Sequence, residues 1–255
     1  MAEPQFEVRL AQDADDLRGA QRLRYHVFVE ELGGGGATVD HAARLERDAF
    51  DSHGDHMILI DHSRAAAPPE HVVGVYRLMR GGHAAAAGRF YSEIEYDLAP
   101  LTQSGRKLLE LGRSCLLPAY RGGAAMYHLW NGLAGYVDRH GIEILFGVAS
   151  FHGTDIAALA QPLSLLWHKH LAPEGLRARS RAYQAMDLVP EADLDRRAAM
   201  LQVPALIKAY LRLGGVVGDG AFVDHAFNTT DICLIMDTAR MNARSRGIYA
   251  REGRA

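Results

Sequence analysis

Cysteine is nearly absent: the 255 residues include two, Cys115 and Cys233, each inside an apolar run. Two thiols make no disulfide framework and lack the paired spacing of a zinc site. Long hydrophobic runs are missing as well, and nothing approaches the ~18 apolar residues that cross a bilayer. Met1-Ala2-Glu3-Pro4-Gln5 has no basic stretch followed by an apolar core, so no signal peptide is expected. Nor is there an excess of one charge, since 28 Lys+Arg against 31 Asp+Glu leave a formal net charge of −3. That balance argues against an overall basic nucleic-acid binder. Hydrophobic residues make up 48% of the chain, enough to fold, and intrinsic disorder is excluded. A reducing, cytoplasmic setting is expected, in solution or at a membrane surface. One large domain, or a domain with an extension, fits the length.

Periodicity supplies the elements. Leu17, Ala20, Leu23, Val27 and Phe28 recur at helical steps, so one helix is expected over about 16–31, capped by Asp13. It should stop at Gly33-Gly34-Gly35-Gly36, a run with maximal backbone freedom. Met57–Ile60 and Val72–Met79 read as paired strands on either side of the breaker Ala65-Ala66-Ala67-Pro68-Pro69. Gly81 to Gly88 reads as a second soft segment. Then Lys107–Leu117 reads as a strand, Ala124–His140 as a helix ending at Gly141, and Ile142–Ala149 as a strand. Strand, glycine turn, helix, strand is a βαβ-type unit and favours local parallel pairing. A helix begun by Thr154 or Asp155 should be kinked or ended by Pro162. A strand near 177–187, a helix at about 204–213 and a strand Ile232–Met236 complete a mixed α/β fold.

Charged groups inside apolar strands carry the sharpest chemical signal. Glu110 lies in Leu108-Leu109-Glu110-Leu111-Gly112-Arg113-Ser114-Cys115-Leu116-Leu117. With a side-chain period of two it shares a face with Gly112 and Ser114, and Arg113 points to the other. A carboxylate so placed is either paired or made more basic by desolvation. Raised basicity suits a general base acting on an amine; a structural ion pair is the competing reading. In Glu46-Arg47-Asp48-Ala49-Phe50-Asp51, two carboxylates, Asp48 and Asp51, could converge on one cation, or could belong to a solvated loop. His56 and Asp61 have the His-x4-Asp spacing of glycerolipid acyltransferases. On a strand, positions five apart face opposite ways, so that match is rejected. His53 with His56, and His168 with His170, lack a companion set of ligands, and no metal is expected. Cys115 has no cue that lowers its pKa and reads as a small buried thiol.

Arg121-Gly122-Gly123-Ala124-Ala125 falls between the Glu110 strand and its helix. Small residues at such a turn expose backbone N–H groups to an anion, helped by the helix dipole. Arg177, Arg179 and Arg181 alternate, and so are expected to share one face of the strand read there. The last 17 residues, Ala239–Ala255, hold five Arg and one Glu, a local charge of +4. Either basic patch could attract an acidic partner or lipid headgroups, and ordinary solvated faces explain each equally well.

Taken together these stretches resemble a family. Leu23-Arg24-Tyr25-His26-Val27-Phe28-Val29-Glu30-Glu31, Asp48, Asp51, Arg77 in Val72–Leu78, and Glu110-Leu111-Gly112-Arg113 are similar to the GNAT branch that includes acyl-homoserine-lactone synthases. Tyr120 to Trp130, Ala149 to Asp155, and Pro204 to Asp237 with Lys208-Ala209-Tyr210-Leu211-Arg212-Leu213-Gly214 narrow it. They resemble ornithine–acyl-ACP N-acyltransferases, over about residues 6–238.

The resemblance implies a GNAT fold: a splayed mixed central sheet flanked by helices over 6–190, plus a C-terminal extension at 191–255. It implies a 3-hydroxyacyl thioester on acyl carrier protein as donor, L-ornithine as acceptor, and no further cofactor. Under it Glu110 is the general base, with His152 as a second acid–base candidate. Asp48 and Asp51 would hold the acceptor's δ-ammonium, and Arg24 or Arg77 would fork onto its carboxylate. Backbone N–H groups at Ser114, Cys115 and Leu116 would face the oxyanion, and Arg121, Gly122, Gly123 and Ala124 the donor. The usual GNAT loop reads Arg/Gln-x-x-Gly-x-Gly/Ala, whereas Arg121 is followed at those offsets by Ala124 and Met126. That departure suits a donor with one phosphate better than coenzyme A. Work at the inner face of the membrane would follow, held by the basic tail or the 204–213 helix. A lactone synthase using S-adenosylmethionine, a coenzyme A acetyltransferase and a non-enzymatic carrier- or lipid-binding module are the rival readings.

Overall fold

The computed structural model describes residues 3–64 and 69–240. Most of the breaker at 65–69 and almost all of the basic tail lie outside the described residues. The fold is mixed α/β, and the chain divides into two compact units that interleave along the sequence. One is formed by residues up to 88 with Leu111–Gly141, the other by Arg89–Glu110 and the described residues from Ile142 onward.

In the first unit, β1 (Phe6–Leu10) leads into α1 (Ala14–Arg24), whose cap is Asp13 as expected; its side chain accepts from the N–H groups of Asp15 and Asp16. Strands β2 (Asp55–Asp61) and β3 (Val72–Arg80) are antiparallel neighbours, with His56 opposite Arg77, and β1 pairs antiparallel with the free side of β2. Alternation along these strands sorts the core onto two faces. Ile58, Ile60 and Val75 pack with Ala20, Leu23 and Val27. Leu59 and Gly74 face the other way.

The soft segment expected after β3 is instead a helix, α2 (Gly81–Ala87). Its alanine run has the best intrinsic helix propensity, and Arg80 N–H reaches His83 Nδ1 at 3.3 Å to begin it. Next come β4 (Leu108–Leu116), close to its expected span, and α3 (Ala125–His140). Gly132 lets α3 lie on the sheet, since a Cβ there would fall 2.5 Å from Val8 Cγ1 and 3.2 Å from Met57 Sδ.

The helix expected over 16–31 changes character midway. After Arg24 the backbone widens into a π-helical turn, Tyr25–Glu31. A single helical period could not reveal the added residue. Such turns are rare and often lie at functional sites.

In the second unit the first residues of β4 pair parallel with β5 (Ile144–His152), from Leu108 opposite Ile144 to Glu110 opposite Phe146. The expected parallel pairing is therefore present. The helix α4 (Ala160–His170) accommodates Pro162 as its third residue, because the first N–H groups of a helix have no intrahelical acceptor. Asp155 caps the turn before it, accepting from Ala157 and Ala158 N–H. The strand expected near 177–187 shrinks to Arg179–Ser180. Helices α5 (Arg196–Gln202) and α6 (Ala205–Arg212) follow. Strand β6 (Thr229–Asp237) is antiparallel to β5 along its whole length, Thr229 opposite His152 and Asp237 opposite Ile144. Among the described residues no helix is long and apolar enough to cross a membrane.

Candidate functional site

Three arginines and three carboxylates of the first unit close into a ring. Arg24, the last residue of α1, sends Nε to Glu46 Oε2 at 2.6 Å and its two Nη atoms to Asp51 at 2.9 and 2.6 Å. Arg77 of β3 bridges onward, donating from Nη1 to Asp51 Oδ1 at 2.9 Å and to Asp48 Oδ1. Arg113 of β4 completes the circuit with Nε to Glu46 Oε1 at 3.2 Å and Nη2 to Asp48 Oδ2 at 2.9 Å. The charges balance three against three.

Burial makes the balance necessary. The Arg24 and Glu46 side chains have no exposed surface, and the outermost corner, Asp48 with Arg113, shows 8% and 11%. Burial alone would raise the Asp51 pKa; the hydrogen bonds and charge of Arg24, with the charge of Arg77, outweigh it and hold that carboxyl well below the usual range. The same opposition acts on Arg24: burial lowers its pKa, and Glu46 and Asp51 raise it further. His56 Nε2 lies 3.0 Å from the Asp51 carbonyl, and burial pushes its pKa down, so it sits uncharged beside the ring. Asp61 belongs to a different network, accepting from Tyr120 Oη and the Gln5 and Ser63 N–H groups. The rejected His-x4-Asp pairing is indeed absent.

The structure brings Arg24, Asp48, Asp51 and Arg77, the residues expected to bind the acceptor, into one cluster and satisfies them with one another. Arg24 presents no surface to a ligand. Sequence reasoning passed over Glu46, whose signal was a carboxylate directly after the buried Leu45. Arg113 has φ +51, a left-handed conformation uncommon outside glycine. This corrects the simple face alternation read along β4, because the strand is irregular at that residue. Backbone strain of this kind costs about 1–3 kcal/mol, and the ring's contacts to Glu46 and Asp48 hold it.

Glu110 is in the second unit. It is buried, and its oxygens accept from Tyr91 N–H at 2.9 Å and Ser92 N–H at 2.6 Å, tying β4 to the short helical turn Tyr91–Ile94. His152 ends β5 with its side chain exposed. Of the residues expected to face the donor, Ser114 is half-buried, and Cys115 and Leu116 are buried. Burial raises the Cys115 thiol to about 12, so it is no nucleophile near neutral pH. Gly122, Gly123 and Ala124 are exposed ahead of α3, whose N-cap residue Ala124 supplies no side-chain cap. Arg121 is bidentate on Glu31, at 2.5 and 2.7 Å, and also donates to Leu116 O.

The three alternating arginines do not form one row. Arg177 donates to Ala172 O, Arg181 to Glu93 and Tyr96 O, and Arg179 to Asp219. His168 Nε2 lies 3.1 Å from Val189 O. One group among the described residues could offer oxygens to a cation, Glu95, Asp224 and Asp231, with ligand atoms within 4.8 Å of one another.

Residues 23–131 match the acetyltransferase (GNAT) domain family. The chain is 62% identical over 251 residues to an L-ornithine N(alpha)-acyltransferase of Rhodobacter capsulatus, covering 98% of this chain and 97% of that one. A protein of the same name from Brucella abortus is 41% identical, over 97% and 89%. Among solved structures, FeeM, an N-acyl amino acid synthase from uncultured soil microbes, shares the fold at TM-score 0.55 and 12% identity, covering 93% of each chain. The AHL synthase LasI does so at 0.51 and 14%, covering 97% and 96%. The chain belongs to the L-ornithine Nα-acyltransferase family.

Proposed function

We propose that the protein transfers a 3-hydroxyacyl group from the phosphopantetheine thioester of acyl carrier protein to the α-amine of L-ornithine, giving lyso-ornithine lipid. The observation that carries this reading is the near full-length identity to a protein named for that acceptor. A free α-amino group titrates near ~8 and a side-chain amine near ~10.4, so the α-amine loses its proton more readily at neutral pH. Glu110 takes that proton, directly or through a water, and its two backbone hydrogen bonds fix it in place for the task. The freed amine attacks the thioester carbonyl, and backbone N–H groups at Ser114, Cys115 and Leu116 stabilise the oxyanion. The C–S bond then breaks as the amide forms. Of the two protons the nitrogen gives up, one leaves on the phosphopantetheine thiol and the other passes to solvent. His152 is a second proton-transfer candidate.

The ring refines the acceptor roles. Asp48, at its most exposed corner, receives the δ-ammonium, while Arg77 and Arg113 hold it in position and Asp51 and Arg24 brace Arg77 from behind. Asp48→Asn is therefore expected to raise the ornithine KM about tenfold or more, the scale of a charge-assisted hydrogen bond, with little change in kcat. An unchanged KM discards the ammonium assignment.

Arg121, Gly122, Gly123 and Ala124 take the donor's single phosphate, and the exposed Arg121 and Arg179 help draw in an acidic carrier protein. Association should weaken as salt screens these charges; a salt-independent affinity would count against it. A lipid product suits an enzyme of the cytoplasm that works peripherally at the inner membrane face. The reaction itself is tested by offering amino acids with 3-hydroxyacyl carrier protein and reading products by mass spectrometry. Acylated ornithine supports the reading, and no acylation of any amine sinks it.

A further inference from the structure

The pair formed by Arg121 and Glu31 has a consequence for the donor. Glu31 closes the π turn, and both of its oxygens meet the Arg121 Nη atoms; Nε and Nη2 also serve Leu116 O. A guanidinium has five N–H donors, and these contacts engage four of them. A phosphate arriving at Arg121 thus meets an anion already seated in the fork. The pair is only part-buried, with 42% of the Arg121 side chain and 30% of Glu31 exposed, so exchange of one anion for another needs no desolvated charge. The backbone around Arg121 is anchored independently: Tyr120 Oη donates to Asp61 Oδ2 at 2.7 Å, and Arg121 N–H reaches Pro118 O. The side chain can change partners while its Cα stays put.

We infer that Glu31 is a specificity-determining residue for the donor, an internal carboxylate that occupies the Arg121 fork until the phosphate of an acyl-phosphopantetheine displaces it. The inference rests on the reading of Arg121 as a donor-phosphate group. Displacement subtracts the strength of the Glu31–Arg121 pair from every phosphate-bearing donor and nothing from a donor without phosphate. The hydrogen bond from Arg121 keeps the Glu31 pKa low, so the competing carboxylate is charged throughout the neutral range.

The test compares kcat/KM for 3-hydroxyacyl-pantetheine and 3-hydroxyacyl-4′-phosphopantetheine, with ornithine saturating, in the full-length enzyme. Glu31→Gln should raise the ratio of phosphorylated to unphosphorylated donor about 1.5- to 5-fold, the range for a partly exposed ion pair. The change should lie in KM, and the rate with 3-hydroxyacyl-pantetheine should stay as in wild type. Glu31→Asp, which keeps the charge, should keep the ratio near wild type. If Glu31→Gln leaves the ratio unchanged while Arg121→Gln abolishes discrimination, the inference is overturned and the role of Arg121 stands. If Arg121→Gln also leaves the ratio unchanged, the underlying assignment of Arg121 falls with it.

Discussion

Replacing Glu110 by Gln is expected to slow single-turnover acylation of ornithine at least ~10²-fold near pH 7, the lower end of general base catalysis. A loss of that size has two physical sources, which pH separates. The carboxylate accepts from Tyr91 and Ser92 N–H. A glutamine amide has one acceptor oxygen, so its NH2 group would confront one of those donors. A buried unsatisfied N–H costs about 1–3 kcal/mol, and the turn Tyr91–Ile94 would loosen whatever the chemistry. That structural penalty does not depend on the protonation of ornithine, whereas the catalytic one does. Above the ~8 of a free α-amine, most of the acceptor needs no base. The gap between wild type and Glu110→Gln should therefore narrow about tenfold or more between pH 7 and pH 9.5. A gap of the same size at both ends would make Glu110 a structural cap and remove it from the chemistry. A rate within about threefold of wild type at pH 7 would do so at once.

Much of this fold was legible because its signals are local. The apolar runs at 57–60 and 72–79 are paired strands, Gly141 ends the helix before it, and Asp13 caps the first helix where the periodicity begins. Pro162 misled because a proline's effect depends on which residue of the helix it is, and the true start at Ala160 leaves it in the first turn. The glycine pair ahead of His83 misled for a similar reason, since Gly81 and Gly82 occupy the first turn and the alanines that follow His83 decide the outcome.

The candidate site was half legible. Asp48 and Asp51 stood out by their spacing, Arg24 and Arg77 only through the family resemblance, and the four meet in the structure. Their partners did not stand out. Arg113 reaches Glu46 and Asp48 across 67 and 65 residues of chain, and no periodicity encodes such a choice. Neutrality is a property of the whole ring, three charges of each sign, and no single stretch of sequence carries it. The left-handed φ of Arg113 and the widened turn after Arg24 likewise leave no mark in a regular period. Sequence therefore located the charges, and only the pairing revealed that they hold one another.

That mutual pairing decides what Arg24→Met should do. Removing one partner from a buried ion network leaves an uncompensated charge, typically at a cost of about 3–5 kcal/mol. With Arg24 wholly buried between Glu46 and Asp51, a loss of that order in urea unfolding is expected. Adding Glu46→Gln to the same chain removes the stranded carboxylate, so the double variant should be more stable than the sum of the two single losses, with a coupling above ~0.5 kcal/mol. Acid should expose the same defect. A carboxyl held below its unfolded value of ~3.9 contributes fully above that pH and loses its contribution as pH falls towards the folded value. Asp51 is such a group in the intact ring. Without Arg24 its pKa rises, so the variant should begin to unfold at higher pH than wild type as acid is added. An arginine that forked onto the substrate carboxylate would behave differently: its loss would raise the ornithine KM and leave the urea and acid transitions where they were. If that pattern is found, the ring is a binding surface open to the substrate; if stability falls first, Arg24 is a strut that holds Glu46 and Asp51 in the ring.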